Sequence, residues 1–583
     1  MFRLFKYLKP YWWQVVILLL ATGGQVFATL QIPALMADVI NNGIVKEDTN
    51  YIWQQGLIML GIALVSAGCA LVSSYFSARV GANFSRDIRA DVYRKVLSLN
   101  LADTKEFSTA SLINRTTDDV NQVQQAIMMM LSVMLLAPMF CIFALIMAIK
   151  TAPDMSWIIA VGIVAILILA SALLGFTMPK FKIFQKLVDK VTLLTRENLT
   201  GLRVIRAFDN EKLEKAKFGK TNNELTRLII FLDKILKLMG PMVNIIFNGT
   251  TLLCSWVGIS LLTKDFSYLG DMAAFAQYVS FVMMSFLMLS MLFVMLPRAN
   301  VCAGRIREVM NIKSKIDWPT ETKGVPERQA SIEFKNVDFR YPGAEEKVLD
   351  NISFAAHAGE SIAFIGSTGS GKSTLINLVP RFYETTNGEI MVNGVSIKDY
   401  AQNDLMKRIG LVPQKGVLFA GTVKANIKFG APNANDEEVF AAAKIAQADS
   451  FIQKLPGGYK AHIAQGGNNV SGGQKQRLSI ARAVCKKPDI FIFDDSFSAL
   501  DMKTDAKLRE ALKPVTADAI VMMVAQRVST IKNADQIIVL DSGKMVGKGK
   551  HLELLKDCEI YRSIVKSQLS DKEFEKEMRL ANA

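Results

Sequence analysis

Apolar positions in the first half of the chain gather into long stretches that alternate with charged segments. The stretches lie near residues 11–36, 53–78, 127–149, 155–178, 238–263 and 272–296. A helix of about 20 apolar residues spans the hydrocarbon core of a bilayer, so each stretch predicts a membrane-spanning helix. The first stretch is too long for a signal-peptide core and is followed by further spans, which indicates a retained helix. The pattern therefore predicts an all-α membrane domain of six transmembrane helices.

The segments between these stretches differ in length and charge. The connections near 37–52, 150–154 and 264–271 are short and carry few basic residues, whereas 79–126 and 179–237 are long and rich in lysine and arginine. Because basic residues favour the cytoplasmic side, the long connections and both termini are predicted to be cytoplasmic. Unstructured loops of this length are uncommon in compact domains, so we expect the helices to continue well below the membrane.

The pattern changes beyond about Arg305, where the long apolar stretches end. Residues 318–326 contain two prolines and a glycine and are interpreted as a linker. Short strand-like runs begin at Ser331 and are typical of a soluble α/β domain. At the other end of the chain, residues 1–10 combine basic and apolar side chains, which predicts an amphipathic helix at the cytoplasmic membrane surface.

The composition agrees with a membrane protein. Of the 583 residues 51% are hydrophobic, and the mean hydropathy of +0.25 is high for a soluble chain. The net charge of +15 is explained by basic cytoplasmic loops beside anionic lipid, so no nucleic-acid partner is predicted. The six cysteines form no CxxC pair, which indicates neither a zinc site nor a disulfide framework.

A glycine-rich loop is the strongest chemical signal in the chain. It follows the apolar run 362–365 and leads into a second apolar run, so the order is strand, loop and helix. The loop residues are Gly366, Ser367, Thr368, Gly369, Ser370, Gly371, Lys372, Ser373 and Thr374. Such a loop directs backbone N–H groups and a helix N-terminus at phosphate oxygens, while Lys372 reaches the β/γ-phosphates and Ser373 can bind Mg²⁺. An ordinary Gly/Ser turn is the alternative.

Further residues suit the same site. The apolar run 490–493 ends in Asp494, which predicts a buried parallel strand that presents a carboxylate to Mg²⁺ beside Ser373. Ser471, Gly472, Gly473 and Gln474 precede a predicted helix, where N–H groups can face a phosphate or simply form a helix cap. Tyr341 is a candidate for stacking on a base, although a packed surface tyrosine explains it equally well.

The order of these features resembles one protein family. Tyr341, the phosphate loop, Gln414, Ser471–Gln474, Asp494 and the sequence 498–501 follow six predicted spans, and residues 198–208 are similar to a segment of that family. Over nearly its whole length the chain resembles a half-transporter of the ABC exporter type. The resemblance implies ATP and Mg²⁺ as cofactors, with Gln414 at the metal. The expected domains are a transmembrane domain at 1–310, a linker at 311–330, an α/β P-loop nucleotide-binding domain at 331–570 and a charged C-terminal tail at 571–583.

The resemblance also implies a dimer as the working unit. Each ATP is expected to lie between the phosphate loop of one half-transporter and the Ser-Gly-Gly-Gln segment of the other. The tips of the long connections, here near 102–111 and 209–215, are expected to dock on nucleotide-binding domains. ATP binding would close the two domains and hydrolysis would let them part, so that the membrane helices alternate access.

Two residues depart from the family pattern. Asp495 stands where such ATPases usually have the glutamate that polarises the attacking water, and Gln526 stands where they usually have a histidine. The aspartate side chain is one methylene shorter than glutamate, and a displacement of a reacting group by about 1 Å can cost on the order of 100-fold in rate. Glutamine, unlike histidine, carries no titrating charge near neutral pH. With Ser471–Gln474 intact, the pattern resembles the degenerate subunit of a heterodimer, whose partner half-transporter supplies the glutamate and histidine. Asp495 alone is compatible with a site that still hydrolyses ATP, because the carboxylate is kept.

The cargo is indicated only by class. The spans contain methionines and phenylalanines that suit adaptable binding of amphipathic compounds, with packing against lipid or other helices as the alternative: Met128, Met129, Met130, Met134, Phe281, Met283, Met284, Phe286, Met288, Met291, Phe293 and Met295. We therefore predict ATP-driven export of drugs or lipids by a multi-pass protein of the inner (plasma) membrane. A slow homodimeric exporter and a nucleotide-gated channel or regulatory subunit are the alternatives.

Overall fold

The computed structural model describes residues 2–105, 107–262, 268–312, 316–324 and 329–582. Contacts divide the chain into two compact units, Met1–Leu97 with Thr109–Ile312, and Ser98–Ser108 with Lys313–Ala583. The helices of the first part of the chain are α1 Trp12–Asp38, α2 Thr49–Ser98, α3 Leu101–Lys105, α4 Thr109–Thr116, α5 Asp118–Thr151, α6 Ser156–Thr200, α7 Leu202–Ala207, α8 Glu211–Leu262 and α9 Tyr268–Asn311. A 3₁₀ helix over Phe2–Tyr11 precedes α1, where amphipathic helical structure is predicted.

The first unit is a bundle of long helices. Its core joins α1, α5 and α9, and the buried Tyr278 hydroxyl of α9 donates a hydrogen bond to the Leu30 carbonyl of α1 over 3.1 Å. Large apolar side chains face outward on other helices; Trp256 of α8, for example, is 78% exposed. Exposed apolar side chains on long helices are suited to contact with lipid. The unit is thus the transmembrane part of a multi-pass membrane protein.

Five helical segments of the described residues are long and apolar enough to span a bilayer. They are Leu4–Ile44, Thr49–Ser98, Thr109–Thr151, Pro153–Thr200 and Leu269–Leu289. The remaining predicted span, 238–263, falls at the end of α8, and its last residue lies outside the described residues. The count of six spans therefore stays a prediction.

The helical form of the two long connections is confirmed. Helix α2 continues to Ser98 and α6 to Thr200, while α8 already begins at Glu211. The tip of the first connection, Ser98–Ser108, belongs to the second compact unit, where Ala102 packs against the core that contains Phe334. The docking of the tips on nucleotide-binding domains stays a prediction.

The second unit is an α/β domain. Its strands are β1 Ser331–Phe339, β2 Leu349–His357, β3 Ser361–Gly366, β4 Asn387–Val392, β5 Val395–Ser396, β6 Ile409–Val412, β7 Gly421–Thr422, β8 His462–Ile463, β9 Ile490–Asp494, β10 Ile520–Val524, β11 Gln536–Asp541 and β12 Lys544–Gly549. Its later helices are α10 Lys372–Leu378, α11 Gln402–Arg408, α12 Val423–Lys428, α13 Asp436–Ile445, α14 Asp449–Ile452, α15 Gly472–Lys486, α16 Met502–Leu512, α17 Val528–Ile531, α18 His551–Asp557, α19 Glu559–Gln568 and α20 Asp571–Asn582.

The sheet order determines where the chemical residues meet. The larger sheet has the order β12-β11-β3-β10-β9-β6, in which β11, β3, β10, β9 and β6 are parallel and β12 is an antiparallel edge. Continuous apolar runs such as 490–493 are fully buried, as expected for strands covered on both faces. Strands β3, β10 and β9 are neighbours, so their carboxyl ends meet at one edge of the sheet. Ligand sites in parallel sheets lie at this edge.

The segments on either side of the α/β domain are held against it. In the predicted linker, the Thr322 hydroxyl donates to Asp404 over 2.7 Å and the Lys323 N–H donates to the Asp399 carbonyl over 2.8 Å. Residues 325–328 of that linker lie outside the described residues. The segment predicted as a charged tail forms the helix α20, whose Ala581 is buried beside α18 and α19.

Candidate nucleotide-binding site

The glycine-rich loop has a backbone that only glycine accommodates well. Gly366, Gly369 and Gly371 all have positive φ angles, of 156°, 87° and 96°. A Cβ atom on Gly366 would lie 2.0 Å from the Leu540 carbonyl oxygen, and one on Gly371 would lie 2.9 Å from the Val348 carbonyl oxygen. The predicted order of strand, loop and helix is confirmed, because β3 ends at Gly366 and α10 begins at Lys372.

Lys372 is folded over this loop. Its Nζ donates to the carbonyl oxygens of Gly366 and Ser367 over 2.9 and 2.6 Å, and to the Ser370 hydroxyl over 3.2 Å. Burial lowers the pKa of the Lys372 ammonium, and the charges of Asp495 and Asp494 oppose this shift. The loop thus holds a positive charge beside its backbone N–H groups, which suits phosphate oxygens.

Ser373 and Asp494 form the predicted metal pair. The Ser373 hydroxyl donates to Asp494 Oδ1 over 2.9 Å, which joins the first turn of α10 to the end of β9. Burial raises the pKa of the Asp494 carboxyl, and the neighbouring Asp495 charge adds to this effect. A hydroxyl and a partly desolvated carboxylate beside a phosphate loop fit Mg²⁺, which binds one or two protein oxygens together with phosphate oxygens. The residues present therefore fit Mg²⁺–ATP.

Asp495 lies next to this pair in a constrained conformation. Its φ angle is +47°, and the residue is 7% exposed. Its Oδ2 accepts hydrogen bonds from Gln526 Nε2 over 2.9 Å and from Gln414 Nε2 over 3.3 Å. The Asp495 N–H donates to the Val524 carbonyl at the end of β10 over 3.0 Å. Asp495 and Gln526, the two positions that depart from the family pattern, are therefore in direct contact. The Gln414 amide, predicted at the metal, donates its hydrogen bond to Asp495.

Tyr341 is close to the phosphate loop through its hydroxyl. That hydroxyl lies 2.9 Å from Thr374 Oγ1, and its ring makes edge-on contacts with Phe339 and Tyr383. Tyr341 is therefore a packed, half-buried residue at the site, and its stacking on a base stays a prediction.

Ser471–Gln474 forms the start of α15. The Gln474 N–H donates to Ser471 Oγ over 3.3 Å, and the Ser471 N–H donates to Gln474 Oε1 over 2.9 Å. This reciprocal pair is a capping box, and the contact of the segment's N–H groups with a phosphate stays a prediction. Gly472 and Gly473 follow the cap, and a Cβ on Gly473 would lie 3.3 Å from the Ala499 carbonyl oxygen. The segment presents the positive end of a 15-residue helix to its surroundings.

The structure thus brings most of the predicted residues together within one domain. The phosphate loop, Asp494, Asp495, Gln414 and Gln526 meet at the edge formed by β3, β10 and β9, and Tyr341 adjoins them through Thr374. Sequence reasoning did not find Gln568, which bonds to the backbone at Gln526 and Val528. No local motif marks that residue, since its partners lie about 40 positions earlier in the chain.

Comparison with known proteins agrees with this geometry. A family model described as ABC transporter transmembrane region matches residues 15–286, and a second model, described as ABC transporter, matches residues 349–498. The chain is 36% identical over 567 residues to an uncharacterized ABC transporter ATP-binding protein of Mycobacterium tuberculosis, with 97% of each chain covered.

The chain belongs to the ABC transporter family. It is an ABC exporter half-transporter with one transmembrane domain and one ATP-binding domain, which implies an ATPase coupled to transport. It is also 30% identical over 582 residues to an ATP-dependent lipid A-core flippase of Pseudoalteromonas translucida, with 98% of each chain covered. Its fold is similar to a bacterial Atm1-family ABC exporter with ATP bound, at a TM-score of 0.80 and 22% identity, covering 97% of this chain and 99% of the other.

Proposed function

We propose that this ABC exporter moves amphipathic or hydrophobic compounds, drugs or lipids, as one half of a heterodimer. In this proposal its own phosphate loop belongs to a slowly hydrolysing site. The observation that carries the proposal is the contact between Asp495 and Gln526, whose carboxylate oxygen and amide nitrogen lie 2.9 Å apart. Asp495 and Gln526 stand in place of the glutamate and histidine that would act on the attacking water, and the two replacements are in direct contact.

The chemistry of this pair favours binding over turnover. The Asp495 carboxylate is one methylene shorter than that of glutamate, and the same oxygen accepts amide hydrogen bonds from Gln526 and Gln414. Both amide donors therefore compete with an attacking water for the same carboxylate oxygen. Gln526 can donate a hydrogen bond but cannot carry the charge of a protonated histidine. Slow hydrolysis follows from both effects.

The groups that hold nucleotide are complete. Lys372 would bind phosphate oxygens in place of its present carbonyl acceptors, and Ser373 with Asp494 would hold Mg²⁺. When bound, Mg²⁺ supplies neutralisation of phosphate charge. This chain's site would therefore keep ATP for longer than its partner's site does.

The contribution to the other site would come from Ser471–Gln474. Its capping box orders the first turn of α15, and its N–H groups carry the positive end of the helix dipole. The partner half-transporter would supply the glutamate, the histidine and the phosphate loop of that second site. Hydrolysis there would use this chain's intact helix N-terminus.

The cargo class is supported by the transmembrane part. Met134 and Met284 are exposed and offer flexible apolar surface, while Met283 packs tightly against Gly162 and Met128 against Gly81. The side chains of Met291 and Phe293 lie outside the described residues. Similarity to an ATP-dependent lipid A-core flippase supports a lipid as cargo.

The test compares the chain alone with the chain purified together with the product of a neighbouring transporter-like gene. The proposal predicts strong ATPase activity only in the pair. That activity should survive Asp495→Ala in this chain and vanish when the partner's equivalent glutamate is replaced. Full activity of this chain alone would overturn the heterodimer and support a homodimeric exporter. Downhill ion flux through vesicles that is gated by nucleotide would instead support the channel alternative.

A further inference from the structure

The segment that carries Gln526 is fastened from outside the nucleotide site. Strand β10 ends at Val524 and helix α17 begins at Val528, so residues 525–528 connect the two, and we call them the switch segment. The Gln526 side chain reaches Asp495 from this segment. The direction of that side chain therefore depends on how the switch-segment backbone is held.

Gln568, the last residue of α19, holds this backbone at two points. Its Nε2 donates to the Gln526 carbonyl oxygen over 2.7 Å, and its Oε1 accepts from the Val528 N–H over 2.8 Å. Both ends of one side-chain amide are thus used on a span of three residues. The N-cap residue of α17, Arg527, provides no side-chain cap of its own. Since the first N–H groups of a helix lack partners within it, Gln568 supplies this cap from another helix.

Helix α19 is itself firmly anchored. Its Tyr561 and Val565 are fully buried in a cluster that also contains Ile365 of β3 and Val528 of α17. The same core thus lies beneath the strand that enters the phosphate loop and beneath the switch segment. A side chain at the end of such a helix provides a fixed reference point, because close-packed cores resist small displacements.

A second contact ties the far end of α17 to the C-terminal helices. Lys532, which follows α17, lies with its Nζ 3.1 Å from Glu577 Oε1 of α20. Glu577 also approaches His551 of α18, with Oε2 and Nε2 3.4 Å apart. The segment from Gln526 to Lys532 is thereby held at its start by α19 and at its end by α20.

We propose that Gln568 is a positioning residue for this chain's nucleotide site. By holding the Gln526 carbonyl and the Val528 N–H, it sets the backbone that aims the Gln526 amide at Asp495. This inference rests on the proposed function, in which Gln526 and Asp495 act in this chain's own site. A purely structural helix cap would stabilise α17 equally well whatever side chain stands at position 526. A loss of hydrolysis rate that requires Gln526 therefore distinguishes a positioning residue from a purely structural cap.

The experiment measures single-turnover hydrolysis of Mg²⁺–ATP by the assembled pair, in which the partner's glutamate is replaced so that only this chain's phosphate loop turns over. ATP affinity and melting temperature are measured on the same samples. Gln568→Met removes both hydrogen bonds at similar size, whereas Gln568→Glu keeps the acceptor for Val528 and loses the donor to Gln526. Ser567→Ala is the matched control, because the Ser567 hydroxyl donates to the Ile564 carbonyl within α19 itself. Each Gln568 variant is also made in a Gln526→Ala background.

We expect Gln568→Met to lower the rate constant about 10-fold, since small displacements of reacting groups have effects of this order, and to leave ATP affinity within about two-fold. Gln568→Glu should also lower the rate constant, and Ser567→Ala should have the same rate constant as the parent chain. In the Gln526→Ala background, Gln568→Met should change the rate less than about two-fold. If the parent rate is below detection, the same comparison is made in an Asp495→Glu background.

Equal rate losses in the parent and Gln526→Ala backgrounds would overturn the proposal, as would a loss of rate that only follows the melting temperature. An unchanged rate in Gln568→Met would overturn it as well. The slow-site proposal has a separate outcome. Fast hydrolysis by the parent chain alone would contradict that proposal, while the comparison of backgrounds would still report on Gln568.

Discussion

Gln526 donates from Nε2 to Oδ2 of Asp495 across 2.9 Å, which joins the two positions at which the chain departs from the usual residues of its family. Gln526 extends from the loop after β10, and Asp495 follows the last residue of β9. These strands are parallel neighbours in register, with Val524 opposite Asp494. The sheet itself therefore places the two side chains together, and a change at one alters the surroundings of the other.

Restoring both residues should accelerate hydrolysis at this chain's phosphate loop. Asp495→Glu with Gln526→His should raise the single-turnover rate constant about 10- to 100-fold, because the longer carboxylate reaches the attacking water and histidine can carry charge. Asp495→Glu alone should give a smaller increase. The control adds Asp494→Asn to the double variant, which removes a Mg²⁺ ligand and should abolish the gain. A double variant no faster than the parent would contradict the role given to these residues.

Gly366→Ala should disrupt the phosphate loop more than Gly369→Ala. A Cβ on Gly366 would lie 2.0 Å from the Leu540 carbonyl oxygen in β11, whereas the space at Gly369 is open within 4 Å. At Gly369 only the positive φ opposes alanine, at a cost of about 1 kcal/mol. Gly366→Ala should therefore lower the melting temperature and abolish ATP binding, while Gly369→Ala shows a modest shift. Equal melting temperatures for the two variants would show that the loop adapts around Leu540.

The parts of this site that the sequence predicts are those encoded by neighbouring residues. Glycine spacing identifies the phosphate loop, and a continuous apolar run identifies the strand that ends in Asp494. The capping box is visible because Ser471 and Gln474 are three positions apart. The lengths of apolar stretches predict spans but do not predict where the helices begin. Helix α8, for example, begins at Glu211, well before the predicted span at 238–263.

Residues whose role depends on distant contacts could not be predicted in the same way. Gln568 and Glu577 belong to segments that resemble an ordinary charged C-terminal region, and their partners are known only once α19 and α20 pack on the sheet. The charged composition of residues 571–582 conceals the face that contains Phe574 and Met578. The hydroxyl contact of Tyr341 with Thr374 also depends on the tertiary packing that brings the end of β1 close to α10.

The attachment of α20 should weaken in mild acid. Burial lowers the pKa of His551, and the nearby Glu577 charge only partly opposes this. A histidine with a depressed folded-state pKa contributes stability above its unfolded value of about 6.5, and that stability is lost as pH falls through and below this value. Lys532 also faces Glu577, and Tyr561 contacts the His551 ring nitrogen Nδ1 over 2.7 Å.

Hydrogen exchange of the 571–582 backbone, corrected for its intrinsic pH dependence, measures this effect. Protection should be higher at about pH 7.5 than at about pH 5.5 in the parent chain, on either side of the ordinary histidine pKa. In His551→Gln, which has no titrating ring, the difference between the two pH values should shrink. An identical difference in both proteins would assign the pH dependence to other groups.

The most direct test is the ATPase rate of the assembled pair, measured with two variants of this chain. It shows whether turnover depends on this chain's own phosphate-loop site or on its Ser471–Gln474 segment. Asp495→Ala alters the chain's own site. Gly472→Asp adds a negative charge at the start of α15, where it favours the helix dipole but repels a phosphate from the partner's site. We predict that Asp495→Ala retains more than about half of the parent rate, whereas Gly472→Asp lowers it more than about 10-fold. Loss of activity with Asp495→Ala and a parent-like rate with Gly472→Asp would contradict the assignment of this chain's own site as the slow one.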